Sequence, residues 1–128
     1  MPEQNSFDYA IIRLVPHEER GEFVNAGVIL YCRAVGFLDA RIAFDAQRLK
    51  SLDADVDVDL VRKYLDAIPR ICAGLPDAGP LSALSQGERF FWLVAPRNTI
   101  VQASPLHTGL CENPAAMLDH LLESTIKR

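Results

Sequence analysis

The sequence predicts one α+β domain: a single antiparallel sheet of about five strands with two or three helices packed on one face, in the order βββααββα. Three observations carry that expectation. Between residues 7 and 44, three apolar stretches follow the two-residue period of strands and are joined by connections too short for parallel crossovers. After Asp57 and again after Asn113, apolar residues recur at helical spacing. Between them, two more apolar runs flank Pro96-Arg97-Asn98, a hairpin-like turn.

The first strand covers residues 7 to 15. Ala10, Ile12 and Leu14 share one face; Tyr9, Ile11, Arg13 and Val15 share the other. Both faces are mainly apolar, so this strand needs cover on both sides. Pro16 ends it, because proline cannot donate to a ladder. His17-Glu18-Glu19-Arg20-Gly21 is a polar turn.

The second strand runs from about Glu22 to Arg33, with Val24, Ala26, Val28, Leu30 and Cys32 expected on one face and Phe23, Asn25, Gly27, Ile29 and Tyr31 on the other. Gly27 inside it predicts a bulge or a close approach by another backbone. Gly36 marks a turn into the third strand, residues 37 to 44.

Asp45 is placed to cap a short helix through Leu52, and Asp57 or Asp59 to start a longer one carrying Val61, Tyr64, Leu65 and Ile68. Pro69 is expected to kink or interrupt it, since it removes a backbone donor. Residues 77 to 86 read as a loop with a helical turn near Leu81–Leu84. Arg89 to Ala95 reads as a fourth strand and Thr99 to Ser104 as a fifth, with a loop from Pro105 to Glu112. Asn113 caps the last helix with Pro114 at its first position, and Met117, Leu118, Leu121, Leu122 and Ile126 form its buried stripe.

Residues 1–128 suffice for one domain with its own core. The balance is mildly acidic, with formal net charge −4, and the basic residues are scattered, so no nucleic-acid footprint is expected. Met1 to Asp8 is polar, no apolar run reaches membrane-spanning length, and the chain reads as cytoplasmic, with no membrane partner. Cys32, Cys72 and Cys111 are too dispersed for a disulfide framework or a paired zinc motif.

One polar constellation stands out. Arg13 lies mid-strand among apolar neighbours, where a charge must be paired or reach water. Arg20, Glu22 and Asn25 follow at the mouth of the second strand, and Glu22 is the nearest carboxylate to Arg13 in sequence. Arg13 and Arg20 could hold an anionic group while Glu22 acts on it; the reading placed ahead of that is structural, with Glu22 paired to an arginine and Asn25 satisfying backbone groups around Gly27. His107, between Pro105 and Gly109, could join them as an anion donor or base, as could His17; each is otherwise a solvated loop residue. Ligand-binding candidates are therefore Arg13, Arg20, Glu22, Asn25 and His107, and no catalytic residue is assigned.

Asp53-x-Asp55-x-Asp57-x-Asp59 has no register with both the glycine and the closing carboxylate of a calcium loop, and it suits a helix start instead. His107-x-x-x-Cys111 has no second ligand pair. No phosphate loop, dinucleotide fingerprint, nucleophile elbow or zincin motif occurs. No metal and no cofactor are expected. Phe90-Phe91-Trp92 reads as core, since no basic groove accompanies it.

Tyr9-Ala-Ile-Ile-Arg-Leu-Val-Pro16 followed by Arg20-Gly-Glu-x-x-Asn-x-Gly-Val28 resembles a bacterial family of unknown function, domain-of-unknown-function family thirty thirty-seven. Ser104-Pro-Leu-His107-x-Gly109 and Asn113-Pro114 are similar to it as well, so the resemblance spans nearly the whole chain. It implies no activity, but it does imply a protein partner, with a HipA-like kinase as the candidate. The leading expectation is a non-enzymatic interaction domain, self-associating or bound to another protein. The alternative is a small enzyme or ligand-binding protein acting on a phosphate- or carboxylate-bearing small molecule.

Overall fold

The computed structural model describes residues 3–126. The α+β expectation holds: among the described residues, one antiparallel sheet of five strands carries four α-helices. Its centre is β1 (Asn5–Leu14), apolar on both faces. One edge of β1 pairs with β2 (Val24–Cys32), which in turn pairs with β3 (Phe37–Ile42). The other edge is shared by two short strands, β4 (Val101–Ala103) against Ile12–Leu14 and β5 (His107–Cys111) against Asn5–Tyr9.

Ser104 bridges the break between β4 and β5. It is buried, its N–H donates to the Ile11 carbonyl at 2.8 Å, and its hydroxyl accepts from the Ile11 N–H at 2.8 Å. The side chain thereby supplies the ladder bond lost as the chain turns into Pro105.

β2 contains the irregularity that Gly27 foretold. Ile12 pairs with Gly27 but Arg13 pairs with Asn25, so the register shifts there. The extra residue reverses the alternation. Val24 and Ala26 pack in one core with Ile29, while Val28, Leu30 and Cys32 pack in the other. Strict alternation along β2 therefore does not hold. The close backbone approach is also present: a Cβ on Gly27 would lie 2.5 Å from the Arg41 carbonyl oxygen of β3.

The connection from β3 to β4 is helical: α1 (Ala46–Leu52), α2 (Val58–Cys72) and α3 (Gln86–Val94). After β5 comes α4 (Pro114–Thr125). Three of the starts expected from sequence are capped as expected. Asp45 accepts from the N–H groups of Gln47 and Arg48, Asp57 from Leu60, and Asn113 from Ala116.

Four expectations are corrected. The helices do not share one face. Ala10, Ile12 and Leu14 of β1 meet α1, α2 and α3, whereas Phe7 and Ile11 meet α4 on the opposite face. A central sheet with two apolar faces needs a helix on each, and α4 folds back from β5 to provide the second. Next, Arg89–Ala95 is not a strand but most of α3, started by Ser85 and Glu88 in a capping box. Then Pro105–Glu112, expected as a loop, contains β5. Last, Pro69 does not interrupt α2, which runs on to Cys72. The buried positions Val61, Leu65, Ile68 and Cys72 keep their spacing across it, so packing holds the last turn together.

Candidate functional site

The five residues nominated from sequence occupy three places. Arg20 and Glu22 lie in the turn before β2 and form a loose pair at 3.8 Å, with side chains 60% and 47% exposed. Arg13 and Asn25 face each other across the β1–β2 ladder. His107 opens β5, pairs with Tyr9, and stacks on its ring at 5.1 Å between centroids. Three residues of β1 separate Tyr9 from Arg13, which puts them roughly 13 Å apart along the strand.

Arg13 does not pair with Glu22, nor with any other described carboxylate. Its guanidinium lies over the Phe23 ring, 4.3 Å from the centroid. Its Nε and the Asn25 Oδ1 are both buried without a hydrogen-bond partner among the described residues. The register explains the miss: Val24 sits opposite Leu14, so Glu22 falls beyond the end of the β1 ladder, nearer Arg20. Phe23 takes the position over the charge.

His17 stands 3.6 Å from Asp53 and 3.8 Å from Glu19. His107 and Cys111 are four apart on a strand, roughly 13 Å from end to end, too far to share a metal ion. Among the described residues no group of three His, Cys, Asp or Glu side chains could hold a metal. The three cysteines are free and buried. Burial, helped by the charge of Asp39, pushes the Cys72 thiol up to about 12, while Arg89 opposes the shift. That thiol is protonated and inert near neutral pH. Arg41 hydrogen-bonds Asp39 at 2.5 Å and Asp119 at 3.1 Å. Its pKa is raised, chiefly by Asp39, and the network joins β3 to α4.

None of the five candidates lines the main concavities. The best-formed is a cavity of about 380 Å³ between α2, α3 and β4. Its walls include Ile12 and Ile29 from the sheet and Ile68 and Ile71 from α2. Tyr64, Trp92 and Arg97 stand at its edge, Tyr64 49% and Trp92 45% exposed. Arg97 donates to the Trp92 carbonyl and lies 4.5 Å from the centroid of the indole ring. A second, more open hollow shares Arg97, Gln102 and Ala103 with the first and is bounded by Phe91 and Leu106, both exposed. Tyr64, Trp92, Arg97, Phe91 and Leu106 thus form one continuous face.

Sequence reasoning missed this face because it placed residues 89–95 in a strand. The helix turns Phe90 inward, fully buried, and Phe91 and Trp92 outward. It also brings Arg89 to the Cys72 and Leu84 carbonyls, at 3.3 and 2.6 Å, where it clamps α3 against the C-terminal end of α2. The signal that could have found it is Ser85-Gln-Gly-Glu88, a capping box directly before the aromatic run.

Neither a curated protein nor a solved structure matches the chain. A family model does, over residues 9–126, nearly the whole length. The sequence motifs on β1, β2 and the Ser104 bridge therefore carry a real kinship, and the chain belongs to the family described as Protein of unknown function (DUF3037).

Proposed function

We propose that the protein is a non-enzymatic interaction domain that docks a partner protein on the face formed by α2, α3 and β4. The observation that carries this reading is the continuous exposure of Tyr64, Phe91, Trp92 and Leu106 around Arg97, over two adjoining hollows. Large aromatic residues with an arginine, set beside a concave surface, are the composition of binding hot spots. Phe91 touches the core only through the edge of the Phe90 ring, and most of Phe91 and about half of Trp92 stay turned to solvent on this short helix.

The alternative, a small enzyme acting on a phosphate- or carboxylate-bearing molecule, has less support. Arg13, Arg20, Glu22, Asn25 and His107 are spread along the sheet and its turn, not gathered at a cavity. Self-association is also the weaker form of the interaction reading. The second sheet face, which would otherwise need a second copy, is covered by α4. A different protein is the partner favoured here, and a HipA-like kinase, implied by the family resemblance, is the first to test.

A photoreactive amino acid in place of Phe91 tests the proposal in living cells. Leu110, apolar and 61% exposed on β5, is the control position. The expected result is one discrete adduct with another protein from position 91 and none from 110. An adduct of two copies of this chain would replace the partner with self-association. No adduct from 91, or the same adducts from both positions, would defeat the docking face.

A further inference from the structure

We infer that the cavity between α2, α3 and β4 is a small-molecule site for a monocarboxylate with an apolar body, Arg97 serving as its counter-ion. The inference shares Arg97 and the cavity mouth with the proposed docking face but goes beyond it and stands on the inside of the cavity. At about 380 Å³ the cavity is of small-ligand size, toward the lower end of the roughly 300–1,000 Å³ usual for such sites. Its walls of Ile12, Ile29, Ile68 and Ile71 offer no hydrogen bond, so a sugar or nucleotide would lose its hydration there without compensation.

The polar groups at the edge are mostly committed. The Thr99 hydroxyl donates to the Val101 carbonyl at 3.0 Å, and the Gln102 amide donates to the Thr99 carbonyl at 2.9 Å. Arg97 is different. One of its N–H groups goes to the Trp92 carbonyl, yet among the described residues no Asp or Glu pairs with it. Stacking on the indole holds the guanidinium in place beforehand, so little order is lost when it takes up an anion. The remaining fork of donors matches a carboxylate.

A single negative charge suits the place better than a double one. Arg97 is the one cation that lines the cavity among the described residues. The carbonyl it holds belongs to the last turn of α3, the negative end of that helix's dipole, which opposes a second negative charge. The ligand class is thus an aliphatic or aromatic monocarboxylate, its body between the isoleucines and its head at Arg97.

The chain's single tryptophan, Trp92, stands at the cavity edge, so its fluorescence reports occupancy. The probes are decanoate and the uncharged decanol, kept below the concentrations at which they self-associate. Decanoate is expected to shift the emission saturably, with decanol about tenfold weaker, the scale of one charge-assisted contact at a half-exposed site. Arg97→Gln should bring decanoate down to the level of decanol and leave decanol unchanged. Ala67→Phe, which fills the cavity from α2, should abolish both responses while circular dichroism remains that of the folded chain. No saturable response to decanoate overturns the site. So does equal affinity for the two probes, or undiminished binding to folded Ala67→Phe.

Discussion

Arg13 sits over a ring and not beside an acid, and the difference is instructive. A cation in the middle of an apolar strand announces that something must accommodate it. What accommodates it is set by the register, which places Phe23 over the guanidinium and leaves Glu22 to Arg20. That choice depends on where β2 begins, a matter of one residue, and so was not legible. Asn25 was legible as a partner of the same locale, and the ladder puts it opposite Arg13. His107 was legible as a polar residue before a helix, but not as a strand residue stacked on Tyr9. A double-mutant cycle on Arg13→Met and Phe23→Ala, read by urea unfolding, should give a coupling of about 1–2 kcal/mol, between the exposed and the desolvated cation–π contact, since the guanidinium is part-buried and the ring half-exposed. Glu22→Ala, by contrast, should change stability by less than about 0.5 kcal/mol, as for a loose surface pair. A loss of several kcal/mol on removing Glu22 would restore the ion pair in place of the ring.

At the level of elements, capping chemistry was the most readable feature and aromatic propensity the most misleading. Asp45, Asp57 and Asn113 start the helices they were expected to start, because an N-cap acts through its own backbone neighbours and needs no tertiary information. The same chemistry stood before residue 89. Ser85 accepts from the Glu88 N–H at 3.3 Å, and Glu88 accepts from the Ser85 N–H at 3.1 Å. Consecutive Phe, Phe, Trp and Leu favour a strand by propensity alone; the box and the inward turn of Phe90 decide for a helix. β5 was hidden for the opposite reason, since Pro105 and Gly109 make its sequence look like a loop. Gly109 is there because a Cβ would meet the Phe7 ring at 2.7 Å. Ser85→Ala should cost about 1 kcal/mol in urea unfolding. The box also has a pH signature. Hydrogen bonds from Ser85 hold the Glu88 carboxyl below its ordinary value. Its stabilising contribution is therefore present above the unfolded value and fades as pH falls through the lower, folded one. In Ser85→Ala that acid-side loss should shrink, and an unchanged acid profile would show that the box does not hold α3.

For the molecule as a whole, the decisive feature is that one sheet serves two cores. The apolar character of both faces of β1 was plain in the sequence, and so was the need for cover on each. Which helix covers which face was not, because it depends on the path from β5 back across the sheet into α4. The bulge lets β2 serve both cores: it reverses the strand's alternation, putting Ala26 and Ile29 on one side and Val28 and Leu30 on the other. Gly27 is the residue that permits this. Its missing side chain leaves room for the Arg41 backbone carbonyl, and β2 is hydrogen-bonded on both edges, to β1 and to β3. Neither neighbour can retreat without breaking its ladder. A methyl group only 2.5 Å from that oxygen is far inside contact distance, and backbone cannot rotate away as a side chain would. Gly27→Ala is therefore expected to destabilise the fold by about 3 kcal/mol or more, among the larger effects of a single added methyl. Gly21→Ala is the useful comparison. Gly21 has φ +66° but open space around it, so its cost is backbone strain alone, about 1 kcal/mol. Urea unfolding of the two variants side by side separates the effects. Should Gly27→Ala unfold no earlier than Gly21→Ala, the β2–β3 approach would not be what fixes the two-faced sheet.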